Sequence, residues 1–121
     1  MADLIDATVD RIVKSGFDPI QSPFAHKVAV MLVTAQGIID NGGFEYFFGV
    51  PFQIEPNMTD FVTIYETVGA SSSAKAFEAA ISRSKTADPK YEDLNQVLWA
   101  ESENNYKKLE AYIEGNHNLY E

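Results

Sequence analysis

The chain contains no cysteine, which excludes disulfides, thiolate metal sites and a cysteine nucleophile. Histidine is nearly missing too, with His26 and His117 alone. His117 follows Glu114 by three residues, but a carboxylate-bridged two-metal site needs two such pairs and only one exists, so no metal or cofactor is expected. Positive charge is scarce: nine Lys and Arg face eighteen Asp and Glu, a formal net charge of -9. Such a surface repels phosphates and anionic lipid, which disfavours direct nucleic-acid or membrane binding, and it attracts basic proteins. The plainer reading of the same number is solubility. Long apolar runs are absent as well, the longest aliphatic one being Val28 to Val33, far short of a membrane span. The opening Met1-Ala2-Asp3 lacks the basic start of a secretion signal, so the cytoplasm is the expected compartment. No β alternation of useful length, repeat or linker appears.

What is present is helical. At 121 residues, 45% hydrophobic and 12% aromatic, the chain is expected to form one domain spanning residues 1–121 with a single core. The expected architecture is an all-α bundle of about five to six helices. A first helix runs to about Lys14 with Asp3 as cap and Ile5, Val9, Ile12 and Val13 on one face. Ser22-Pro23 opens a central helix, almost wholly apolar from Phe24 to Ile39 and therefore buried on most sides. Asn41-Gly42-Gly43 reads as its stop and hinge, since Asn and Gly tolerate left-handed backbone. Phe44, Phe47 and Phe48 then recur at helical spacing, an aromatic plug for the core. Phe52 and Ile54 pin the following loop. Further helices cover Met58 to Val68, with Phe61, Ile64, Tyr65 and Val68 inward, and a segment capped by Ser71-Ser72-Ser73, with Ala74, Phe77, Ala80 and Ile81 inward. Asp88-Pro89 launches the longest helix, to about Ile113, with Tyr91, Leu94, Leu98, Leu109, Tyr112 and Ile113 as its core stripe.

Asp40-Asn41-Gly42-Gly43-Phe44-Glu45-Tyr46-Phe47-Phe48 resembles the signature of the DNA-mimic protein family, an acidic all-helical domain. Glu66-Thr67-Val68-Gly69-Ala70 and Tyr112-Ile113-Glu114-Gly115-Asn116 resemble two further family segments, so the likeness runs from about Phe24 to the C-terminus. The chain departs from the family at Tyr46, where Gln is common, and at Gly49-Val50, where Asn follows the Phe pair. The resemblance implies a protein that imitates the charge of DNA and occupies a DNA-binding protein.

The residues supply their own version of such a surface. On the longest helix Glu92, Glu103, Glu110 and Glu114 fall within about 40° of one another and extend over roughly 33 Å. Trp99 and Tyr106 border them as candidate interface anchors. Asp3, Asp6 and Asp10 fall within about 60° on the first helix. Lys107 and Lys14 dilute both stripes, and a solvated helix face explains them equally well. No nucleophile, base and metal converge: the serine triplet lacks elbow glycines, and Asn41-Gly42-Gly43 lacks the lysine of a phosphate loop. Catalysis is therefore not expected. Three functions remain. The first is a non-enzymatic module binding the basic groove of a DNA-binding protein. The second is an immunity-type inhibitor of a toxin such as a nuclease. The third is a small-ligand domain using a cavity near Phe44, Tyr46, Phe48 and Tyr65. Trp99 and Tyr106 also leave a symmetric homodimer open.

Overall fold

A computed structural model describes residues 2–120 in backbone and 4–120 in side chain; the side chain of Asp3 lies outside the described residues. The helices are α1 (Ala2–Lys14), α2 (Phe24–Gly49), α3 (Met58–Thr67), α4 (Ser71–Arg83) and α5 (Glu92–Gly115), followed by a 3₁₀ turn at His117–Tyr120. The fold is an all-helical bundle with no strand among the described residues. α2 is its axis. It packs on α5, α3 and α1, while α3 pairs with α4 and α4 closes onto α5. No helix among the described residues is long and apolar enough to cross a membrane.

From Phe24 to Ile39, α2 is largely buried because so apolar a run leaves little polar surface to turn outward. Val28, Ala29, Leu32, Ala35 and Ile39 are all fully inaccessible. The hinge is narrower than the Asn-Gly-Gly motif suggests. Asn41 and Gly42 stay helical, and Asn41 donates its amide N–H to the Gly37 carbonyl at 2.8 Å. Gly43 alone leaves the helix, at φ 72° and ψ -172°, and the chain resumes helical geometry at Phe44. That backbone region is essentially glycine's own.

Beyond the kink the aromatic plug fills the space between α2, α3 and α4. Phe44 meets Phe77 edge-on at 5.0 Å, and Phe47 meets Phe61 and Phe77 edge-on at 5.1 and 5.4 Å. Such pairs add about 0.5–1.5 kcal/mol each beyond area burial. Phe44 and Phe47 are inaccessible and Phe48 is half-buried. The cavity expected near Phe44, Tyr46, Phe48 and Tyr65 is therefore filled: Tyr46 points to solvent and Tyr65 is fully buried. A cleft of about 210 Å³ lies elsewhere, between the loops that precede and follow α2, lined by Phe17, Val30, Phe52 and Phe61.

Several helix starts differ from the sequence expectation, and each difference has a local cause. Ser22 does not cap α2; its hydroxyl accepts from the Asp18 N–H at 2.8 Å, closing the preceding turn. Asp88 sits at φ 52° in a left-handed turn, so α5 begins at Glu92 rather than at Pro89. The serine triplet supplies no cap, because α4 already starts at Ser71 and Ser73 is buried in the core. On α1 the inward face is Ile5, Thr8 and Ile12, leaving Val13 about half exposed; Thr8 satisfies its hydroxyl on the Leu4 carbonyl. Ile54 is exposed too, so Phe52, against Phe47 at 6.0 Å, holds the loop. Gly69, at φ 88°, ends α3, with the Ala70 N–H reaching back to the Tyr65 carbonyl.

Candidate protein-binding surface

The inward stripe of α5 fixes what its outer side presents. Leu98, Leu109 and Ile113 are buried against the bundle. Glu92, Glu103 and Glu114 are consequently exposed and Glu110 is half-buried. Glu103 pairs with Lys107 at 3.3 Å. Among the described residues no cation lies within 4 Å of Glu92, Glu110 or Glu114. On α1, Asp10 pairs with Lys14 at 2.9 Å, while Asp6 has no such partner among the described residues. Tyr106 of α5 lies near carboxylates of both α2 and α1. Its phenol is pushed above the usual tyrosine range by burial, and further by the negative charges of Asp40 and Asp6. Asp6 of α1, Asp40 of α2 and Tyr106 of α5 thus share one side of the molecule.

Asp40 and Glu45 belong to this surface, and sequence reading passed over both. Asp40 accepts from Gln36 Nε2 at 2.9 Å and from the Ser102 hydroxyl at 2.7 Å. Glu45 accepts from Asn95 Nδ2 at 2.8 Å. All of these donors are neutral. A lysine in their place would hold the carboxylate but cancel its field, whereas an amide or hydroxyl fixes the group and leaves the charge whole. Both carboxylates flank the Asn-Gly-Gly motif, a visible position in the sequence, but Asn95 and Ser102 reach them from α5, 50 and 62 residues away, which no local pattern reveals.

Asn95 also explains the kink. At Gly43 the helix gives up the bond its ladder would make to the Phe44 N–H, and Asn95 Oδ1 accepts that N–H instead at 2.8 Å. One amide thus caps the second half of α2 from another helix and positions Glu45. A Cβ on Gly43 would stand 2.5 Å from Asn95 Nδ2, so glycine is required there by contact as well as by backbone angle. Trp99, four residues on, donates its indole N–H to the Ile39 carbonyl at 2.7 Å while the residue stays 41% exposed. It is an anchored ring at the surface.

Beneath this surface lies a buried polar cluster. Gln36 is fully inaccessible; its Oε1 accepts from the Tyr65 hydroxyl at 3.0 Å and from Asn105 Nδ2 at 2.9 Å, while its Nε2 also reaches the Leu98 carbonyl. Asn105 Nδ2 donates to Ser73 as well, at 2.9 Å. Burial holds the Tyr65 phenol well above its ordinary range. The remaining candidates take structural places. His26 stacks on Tyr120 at 6.2 Å. His117 stands beyond the end of α5, and no group of three or more metal-ligating side chains converges among the described residues.

A family model described as DMP19-like protein matches residues 21–116. The chain belongs to the DMP19-like family. It is a family of DNA-mimic proteins. No curated protein and no solved structure matches the chain. The match takes in the kink, Asp40, Glu45 and the acidic side of α5. It leaves out α1, with Asp3, Asp6 and Asp10.

Proposed function

We propose that the protein is a non-enzymatic acidic module that occupies the DNA-binding surface of a basic protein. The observation that carries this reading is the fixation of Asp40 and Glu45 by neutral donors, beside an outer side of α5 whose Glu92, Glu110 and Glu114 have no cation within 4 Å among the described residues. Placed negative charge in an unyielding array is what a phosphate backbone offers a DNA-binding protein. Trp99 and Tyr106 stand among these charges as anchors of the kind that carry interface energy. Family membership supports the same reading. Toxin inhibition would use the same chemistry on a nuclease cleft, and no observation favours it over a DNA-binding partner.

The test is capture of partners from host lysate at low and moderate salt, their identification, and competition of each with duplex DNA. A Glu92/Glu103/Glu110/Glu114→Gln variant runs alongside. The expected partner binds DNA, elutes with salt, is displaced by duplex, and loses affinity for the variant by about tenfold or more. A partner that binds wild type and variant alike, or that ignores duplex DNA, overturns the reading.

A further inference from the structure

Where the kinked end of α2 meets the first turns of α5, an open groove of about 450 Å³ is walled by Glu45 on one side and by Glu92, Gln96 and Trp99 on the other, with Asn95 in its floor. We propose that this groove receives one arginine side chain of the basic partner. The proposal rests on the reading above and narrows it to a particular contact.

Two carboxylates alone would select nothing beyond positive charge. The other walls decide the ligand. The Trp99 ring is fixed by its N–H bond to the Ile39 carbonyl, so it offers a face rather than a swinging side chain. A guanidinium is planar and weakly hydrated, and it stacks on indole while its N–H groups stay free in the ring plane to reach carboxylates. A lysine ammonium is a compact, strongly hydrated point charge and cannot use the ring in that way. Glu45 is aimed by Asn95, which is 5% exposed and is itself locked on the Phe44 N–H, so this acceptor is set before the partner arrives. Glu92 stands two turns before Trp99 on the same side of α5, and neither carboxylate has a cation of this chain within 4 Å among the described residues. Asn95 is a positioning residue in this scheme; Glu45, Glu92 and Trp99 make the contact. Gln96 adds an amide that can accept a further guanidinium N–H.

Trp99 is the only tryptophan, so intrinsic fluorescence of the intact protein reports on the groove directly. The probe is a capped Gly-Arg-Gly peptide, titrated against its Gly-Lys-Gly counterpart at constant ionic strength. Variants are Glu45→Gln, which keeps an oxygen for Asn95, and Glu92→Gln, with Glu78→Gln, exposed on α4, as a control outside the acidic surface; thermal unfolding checks that each is folded. The expected result is a saturable change of Trp99 emission with the arginine peptide. The lysine peptide and the two groove variants should bind about tenfold more weakly, the size of one charge-assisted contact. Glu78→Gln should match wild type. Equal response to both peptides, no saturable change, or wild-type binding by Glu45→Gln each overturns the groove. The partner competition separates this from the broader reading: Glu45 is not among the four α5 glutamates. Competition still lost in the quadruple variant, with an inert groove, removes the arginine contact alone, whereas failure of both removes the mimic reading itself.

Discussion

The two sides of α2 are built from different materials. Toward α3 and α4 it presents Phe44 and Phe47 to Phe61 and Phe77, with Tyr65 against Phe77 behind them, a contact of rings. Toward α5 it presents Gln36, Asp40 and the kink, which meet Asn105, Ser102, Asn95 and Trp99 through hydrogen bonds. Apolar contact is non-directional and tolerates small shifts. A hydrogen bond does not: sliding α5 along α2 by one residue would unmake the Gln36, Asn95, Ser102 and Trp99 contacts together, each at the cost of an unpaired polar group. The ring side holds the bundle together, and the polar side fixes the register that sets Glu92, Trp99 and Glu103 against Asp40 and Glu45. A surface that works by placing charge requires the second kind of contact.

The largest effect should come from the ring side. Phe77 contacts Phe44, Phe47, Phe61 and Tyr65, and Phe77→Ala should lower unfolding free energy by about 3–5 kcal/mol in urea titration. The folded fraction should keep wild-type Trp99 emission. A shifted spectrum in folded protein would mean that the rings set the register as well.

Gly43→Ala comes next and strikes where the two sides join. The left-handed backbone costs about 1–3 kcal/mol with a Cβ present, and the clash with Asn95 Nδ2 adds to it. A double-mutant cycle with Asn95→Ala separates the parts. Removing the amide relieves the clash but not the backbone strain, so the two changes should be non-additive. Strict additivity would show that Asn95 does not hold the kink.

The difference in materials also explains what was legible. The ring side was readable, because Phe44, Phe47, Phe61, Phe77 and the apolar run of α2 follow helical spacing. Burial of Leu98, Leu109 and Ile113, and hence the outward position of Glu92, Glu103 and Glu114, followed from the same rule. The polar side was not readable. Gln36 looks like one exception in an apolar helix, Ser73 like a cap and Asn105 like a surface residue; only tertiary contact joins them. Asp40 and Glu45 were hidden for the same reason. Asn-Gly-Gly gave the right place for the break, but not that the break is one residue long and is sealed by a side chain 51 positions away.

Gln36→Leu keeps the volume and removes the hub of the buried cluster. It strands the Tyr65 hydroxyl and takes one of the two acceptors of Asn105 Nδ2, which predicts a loss of about 2 kcal/mol. That is less than Phe77→Ala, yet here the folded protein should show altered Trp99 emission and weaker capture of a partner. A stable, functionally intact Gln36→Leu would break the comparison, since register would then not depend on this cluster.

Tyr65→Phe is the mildest change and separates the hydroxyl from the ring. The ring stays against Phe77 at 5.1 Å; only the 3.0 Å bond to Gln36 is lost, an expected cost of about 1 kcal/mol near neutral pH. Its sharper signature is alkaline. Burial raises the Tyr65 phenol well above its unfolded value, so up to about pH 10 the folded and unfolded states hold the same proton and this group adds no slope. Above that pH the unfolded chain releases the proton while the folded one retains it, and stability falls by up to about 1.4 kcal/mol per pH unit for the one group. Tyr91, Tyr106 and Tyr120 are raised as well, each first by burial, and contribute their own slopes. Urea titrations between neutral pH and pH 11 should therefore show wild type losing stability faster than Tyr65→Phe, with the two curves converging as pH rises. Parallel curves would mean that the hydroxyl reaches solvent before the bundle opens, and that the polar side of α2 is looser than its hydrogen bonds suggest.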